Sequence, residues 1–306
     1  DHIDARDGLP PDLERVVSGE AGDGKGVLWR LDDGYDRVLG VKNKPNYFTY
    51  RTDAKNLTGG EKDDTFLFEV AETEFDRAVR PARTSILDGS AGTDLLAFEG
   101  ARPRRETRFV GHDVHLPSGE IALRSGDPQI ADISVAQIKD IENISTLRQG
   151  SSKVTGDDRA NVIVANGYDT VTAGAGDDKL VIRGAQVNVD GGAGTDRYYI
   201  AETSIEATIV ENGQQISHIE LGWPAENIQQ WRIVGTSLVI TSRRGADGEL
   251  PEHTLTIENV YRTLNGQRQV INNLLLFNTS DGYELLPVLP ALLQDLLPHT
   301  TEVIVT

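Results

Sequence analysis

Ala173–Tyr199 reads AGAGDDKLV IRGAQVNVD GGAGTDRYY, three consecutive nines of which the first and third nearly coincide. Against a template of glycine-glycine-x-glycine-x-aspartate-x-apolar-x, the last nine is complete, with Gly191, Gly192, Gly194, Asp196 and Tyr198. The first lacks only its leading glycine and keeps Gly174, Gly176, Asp178 and Leu180. Upstream, Val164–Thr172 retains Gly167, Asp169 and Val171. The middle nine has lost its turn: Val187 stands where the aspartate belongs, although Val189 keeps the apolar place. Further upstream, Asn161 and Ile163 sit one residue out of phase.

The template has a physical reading. Glycines let the backbone take positive φ and expose its carbonyls. The residues after the aspartate form a short strand whose apolar side chain points inward. One nine is then a turn and a strand, and two nines return the chain to the same edge one layer on. Asp178 and Asp196 would stack on neighbouring turns, where carboxylate and carbonyl oxygens suit calcium, a hard cation with six to eight oxygen ligands. Asp169 falls on the opposite edge, where its partner position is Val187, so one good edge and one weakened edge are expected. Turn aspartates in ordinary hairpins are the competing explanation; the shared phase of the glycines favours calcium.

Outside the block, Leu57–Val70 (LTGGEKDDTFLFEV) and Leu87–Gly100 (LDGSAGTDLLAFEG) have the same shape. They offer Asp64 and Asp94 as weaker candidates, each without an in-phase neighbour, and Lys62 replaces a turn glycine in the first. AETEFDRAVRPARTS between them reads as an excursion or a short helix. Arg102–Arg124 reads as a hairpin turning at Pro117-Ser118-Gly119, and Val135–Ser145 fits helix or a coil of short strands. After Ala201 the pattern becomes ordinary alternating strands, with hairpin signals at Asn212-Gly213, Asn265-Gly266 and Asp281-Gly282. The expected fold is all-β: a short degenerate parallel β-roll flanked by antiparallel segments. Its expected divisions are an N-terminal β segment (1–52), a degenerate repeat region with an insertion (53–148), the calcium-binding roll (149–200), and an antiparallel cap with a tail (201–306).

Charge and composition narrow the partners. A net charge of −18 opposes nucleic acid and anionic membrane surfaces and suits cations. No apolar run is long enough for a transmembrane helix. The chain has no cysteine, so no disulfide framework holds it, and no methionine, so Asp1 is expected to be a processed or cut end.

The repeats resemble the glycine- and aspartate-rich nonapeptides of RTX proteins, secreted bacterial proteins with calcium-binding β-rolls. Residues 141–171 (IENISTLRQGSSKVTGDDRANVIVANGYDTV) look like the lead-in to such a roll. The strand-rich WRIVGTSLVIT, LTIENVY and LLLFNTSDGYEL are similar to the segments that cap rolls in secreted toxins, and the final EVIVT resembles the end of type I secretion substrates. Among large toxins, the degenerate repeats resemble the C-terminal part of the "makes caterpillars floppy" insecticidal type. The resemblance implies a secreted, extracellular, non-catalytic module of a large toxin that binds Ca2+ and folds with it after type I export. Its implied partners are a host cell-surface receptor, protein or glycan, and the rest of the parent toxin chain. The alternatives are an adhesin or glycan-binding module, or an accessory module of an extracellular carbohydrate-active enzyme.

Other constellations are weaker. His112 and His115 in GHDVH are metal-like in spacing but have no evident third ligand, so surface histidines are expected. Trp29, Trp223 and Trp231 suit a glycan platform or, more simply, the core. Leu285–Leu297 (LLPVLPALLQDLL) reads as a docked C-terminal segment. There is no His-Glu-x-x-His, no Gly-x-Ser-x-Gly, no P-loop and no cysteine nucleophile, so no enzyme is expected.

Overall fold

A computed structural model describes residues 2–4, 16–18, 25–31, 36–51, 54–71, 75, 83–103, 107–211, 216–243, 252–265, 267–271, 275–282 and 284–285. Leu286–Leu297, most of the AETEFDRAVRPARTS excursion and the Asn212-Gly213 turn lie outside the described residues. The chain divides into two compact units, Asp1–Thr155 and Gly156–Thr306. Among the described residues there is no α-helix. The helical turns described there are two short 3-10 pieces, Leu116–Ser118 and Ala225–Asn227.

In the first unit, successive strands alternate between two sheets. One sheet runs Lys25–Arg30, Asn46–Tyr50, Thr65–Val70, Leu95–Gly100 and Asn143–Ser145, every neighbour parallel. The other runs Asp36–Leu39, Lys55–Thr58, Ser85–Asp88 and Ile133–Lys139, also parallel. Strand alternation sends every second side chain inward. The register therefore builds one inner column from Trp29, Phe48, Phe66, Leu96 and Ile144, and another from Val38, Leu57, Leu87 and Ile138. All nine are buried. Phe48 and Phe66 stack with ring centroids 5.0 Å apart. Each such side chain contributes on the order of 1.5–3 kcal/mol by leaving water.

Insertions leave this path without breaking it. Phe109–His115 and Glu120–Ser125 form the hairpin expected between Arg102 and Arg124, turning over Leu116–Ser118, with Gly119 at φ 66. Val135–Ser145 is strand, divided between Ile133–Lys139 in one sheet and Asn143–Ser145 in the other.

The second unit repeats the plan. Val162–Ala165, Lys179–Ile182, Arg197–Ile200, Ser217–Leu221 and Leu275–Thr279 are parallel neighbours in one sheet. Thr170–Thr172, Gln186–Asp190, Glu206–Val210 and Thr254–Glu258 are parallel neighbours in the other. The inner columns are Ile163, Leu180, Tyr198, Ile219 and Phe277, and Val171, Val189, Ile209 and Ile257.

The expectation of an antiparallel region after Ala201 is therefore corrected. Parallel stepping continues to Thr279, and among the described residues antiparallel pairing here is confined to additions. These are the hairpin Ile228–Val234 with Ser237–Ser242, which pairs onward to Thr254–Glu258, and two small hairpins. Leu264 stands opposite Gln267, with Asn265 next in the chain and Gly266 outside the described residues, and Asp281-Gly282 lies in the turn between Asn278 and Glu284. The strands flanking Asn212-Gly213 instead lie in different sheets, so they form no hairpin. Alternation of apolar residues marks a strand with one buried face and is silent on the direction of its neighbours.

Candidate metal centre

Asp178 and Asp196 come together as the register requires. Asp178 N–H donates to Asp196 Oδ1 at 3.0 Å across a separation of 18 residues. The pattern extends both ways: Asn161 N–H donates to Asp178 Oδ1 (2.7 Å), and Asp196 N–H donates to Ser217 Oγ (3.1 Å). Asn161, read from sequence as out of phase, is in register because Val162 pairs with Lys179. The result is a row in which each side chain accepts the backbone N–H of the preceding layer.

The first unit contains a second row of the same design. Asn46 N–H donates to Asp64 Oδ1 (2.6 Å), Asp64 N–H to Asp94 Oδ1 (2.6 Å), and Asp94 N–H to Glu142 Oε2 (2.9 Å). Asp64 and Asp94 are therefore in-phase neighbours, contrary to the reading that each stands alone. The 30 residues between them conceal the phase because the excursion around Phe75 lies in the path. Both rows begin at an asparagine. Asn46 Oδ1 accepts Val41 N–H and Trp29 Nε1–H, and Asn161 Oδ1 accepts Asp157 N–H.

The turns carry the rows. Gly174, Gly176, Gly192 and Gly194 have φ of 109°, 110°, 88° and 140°, backbone that residues with a Cβ rarely adopt. Ala193 N–H donates to Gly174 O, and Gly176 N–H to Ala193 O, each at 2.9 Å. Beside each row, an outer aspartate caps the next turn: Asp63 accepts Thr93 N–H (2.9 Å), and Asp177 accepts Thr195 N–H (2.8 Å).

The inner carboxylates are out of water: Asp64, Asp94, Asp178 and Asp196 are all 1% exposed or less. Asp94, Asp178 and Asp196 each have one oxygen, Oδ2, without a hydrogen-bond partner. Burial is the main reason their acidity falls. It pushes Asp94 and Asp178 up to about 7 and Asp196 up to about 6, and it raises Asp64. The accepted N–H bonds oppose this, and neighbouring acids add to it: Asp64 and Glu142 at Asp94, Asp196 at Asp178, and Glu211 at Asp196. A buried carboxylate with an unpartnered oxygen is costly unless a proton or a cation meets it.

The donor chemistry fits calcium in part. Unpartnered carboxylate oxygens on consecutive layers, Asp178 Oδ2 and Asp196 Oδ2, are hard-oxygen ligands of the kind this ion takes. Among the described residues, no three His, Cys, Asp or Glu side chains converge as a metal cage. A bound ion would draw its other ligands from turn carbonyls and water. Gly174 O is already accepting Ala193 N–H.

Asp169 lies on the other edge, as expected. It is buried, accepts Gly167 N–H (2.9 Å), and faces Val187 one layer on, so the next layer brings no carboxylate to it. His112 corrects the expectation of surface histidines. It is 1% exposed, stacks on Phe98 with centroids 4.3 Å apart, and burial holds it down to about 3. His115 instead caps the Leu116–Ser118 turn through Nδ1. Trp29, Trp223 and Trp231 are buried.

Sequence reading missed Asn46, Glu142, Ser217 and Glu211. Asn46 was within reach, since it precedes Asp64 by the same 18 residues. Glu142 follows Asp94 by 48 residues, and no repeat count spans the inserted hairpin. No family model matches the chain, and no curated protein matches it either.

Proposed function

We propose that this chain is a non-catalytic, calcium-responsive module of a secreted bacterial protein, built as an RTX-like roll whose layers stack fully only when calcium meets the buried carboxylates. The observation that carries the reading is the pair Asp178 and Asp196: fully buried, on consecutive layers, each with an oxygen that nothing in the fold satisfies. Inside a bacterium, where free calcium is scarce, these charges oppose stacking; outside, the ion neutralises them and folding gains the binding energy. Within a large toxin, such a module serves receptor binding at the host cell. A glycan platform made of the three tryptophans finds no support, because all three are in the core.

Calcium titration of the chelator-treated chain, followed by calorimetry and circular dichroism, tests the reading. The expected result is saturable binding with a gain in β signal, lost in Asp178→Asn/Asp196→Asn. A chain equally folded in chelator, with no heat of binding, would leave the rows as hydrogen-bonded layer ties and remove the calcium switch.

A further inference from the structure

The second unit's row ends without an aspartate. Ser217 takes the next place and gives Asp196 N–H only a hydroxyl acceptor. At that same end the repeat's apolar position is Tyr198, where the neighbouring layers have Leu180 and Ile219. Its ring lies in the core, and its hydroxyl reaches the turn, where a Cβ at Gly191 would stand 1.9 Å from Tyr198 Oη and 2.5 Å from Asp196 Oδ2. Both oxygens therefore crowd one point. Tyr198 Oη–H donates to Glu211 Oε2 at 2.7 Å. Glu211 is 2% exposed, and the pairing of Asp190 with Val210 puts it in the place that Gly191 holds one layer earlier.

This arrangement has a cost that layer stacking does not explain. Asp196 already gives Oδ1 to Asp178 N–H, its Oδ2 has no partner, and Glu211 is the foremost like charge acting on it. A layer tie needs one acceptor. A second buried carboxylate, held by the phenol that borders the unpartnered oxygen, adds a hard-oxygen donor of the kind a cation takes.

We propose that Asp196 and Glu211 hold a calcium ion at the downstream end of the row, with the Tyr198 hydroxyl fixing the Glu211 carboxylate. Glu211 is a ligand from outside the nonapeptide pattern and supplies the anionic oxygen that Ser217 does not; Tyr198, at the pattern's apolar place, is its positioning residue. The proposal rests on the calcium reading above but stands or falls on a different residue.

The test is calcium binding by calorimetry on the full chain, comparing wild type with Glu211→Gln, Glu211→Asp and Asp178→Asn, each checked by circular dichroism. Glu211→Gln is expected to bind one ion fewer than wild type. Glu211→Asp keeps the number but binds that ion at least tenfold more weakly. Asp178→Asn retains the Glu211-dependent ion. Unchanged number and affinity in both Glu211 variants would overturn this site and leave the row reading intact. If Glu211→Gln does not fold, Glu211→Asp alone decides. A wild type that binds no calcium overturns both.

Discussion

The backbone N–H of Asp64 donates to Asp94 Oδ1 at 2.6 Å, joining residues 30 apart in sequence. That bond makes a side chain do what a ladder carbonyl does elsewhere, at the corner where the chain leaves one sheet for the other. Two substitutions separate its parts. Asp94→Asn keeps an acceptor for Asp64 N–H and removes a buried charge, so in chelator at pH 8 it should be as stable as wild type or more so. Asp94→Ala leaves that N–H unsatisfied and should cost about 1–3 kcal/mol. Urea unfolding of both variants checks the difference.

The raised carboxyls set a pH dependence. Asp94 and Asp178 titrate near 7 and Asp196 near 6 in the fold, against about 3.9 in the unfolded chain. The fold therefore binds protons more tightly than the unfolded chain. This contribution is complete below about pH 4 and is lost as pH rises through 6 to 7. Melting temperature in chelator should fall over that window relative to Asp94→Asn/Asp178→Asn/Asp196→Asn, and saturating calcium should flatten the slope. Identical profiles for wild type and the triple variant would contradict the burial argument.

Gly191→Ala should cost about 1–3 kcal/mol, because its Cβ must displace Tyr198 Oη at 1.9 Å and Asp196 Oδ2 at 2.5 Å. Tyr198→Phe should recover part of that loss by removing one of the two atoms. Thermal melts of the single and double variants give the coupling.

Asn46 closes the upstream end of its row, accepting from Trp29 Nε1–H and Val41 N–H while its Nδ2 donates to Asp64 Oδ1 (2.9 Å). Asn46→Ala should destabilise by about 3 kcal/mol, the cost of several buried groups left unpaired. Asn46→Asp should restore the acceptors but set a charge against Asp64, and calcium should narrow its deficit. Denaturant titration with and without calcium reads both effects.

The repeat block was legible because its two best copies are contiguous. Gly174, Gly176 and Asp178 against Gly192, Gly194 and Asp196 fix the register without help from distant sequence. Asp64 and Asp94 were legible as residues but not as neighbours, since an excursion adds length without altering which strands pair. Parallel pairing after Ala201 was hidden for a related reason. Ala207 and Ile209 alternate as any half-buried strand does, and their partners Leu255 and Ile257 lie beyond an inserted hairpin. His112 was misjudged because its burial comes from Phe98 and Phe68, and nothing adjacent in sequence announces that contact.

The rows have a direction. In each, the upstream layer offers a backbone donor and the downstream layer supplies the side-chain acceptor, so the two ends of the chain are not equivalent templates. A stretch available only from its N-terminal side leaves the row donor of its last layer unmet until later sequence arrives. A stretch available only from its C-terminal side already displays the acceptors, and each added layer docks onto a finished surface. Assembly that proceeds from the C-terminal side is therefore self-completing at every step, whereas assembly from the other side is always one layer in debt.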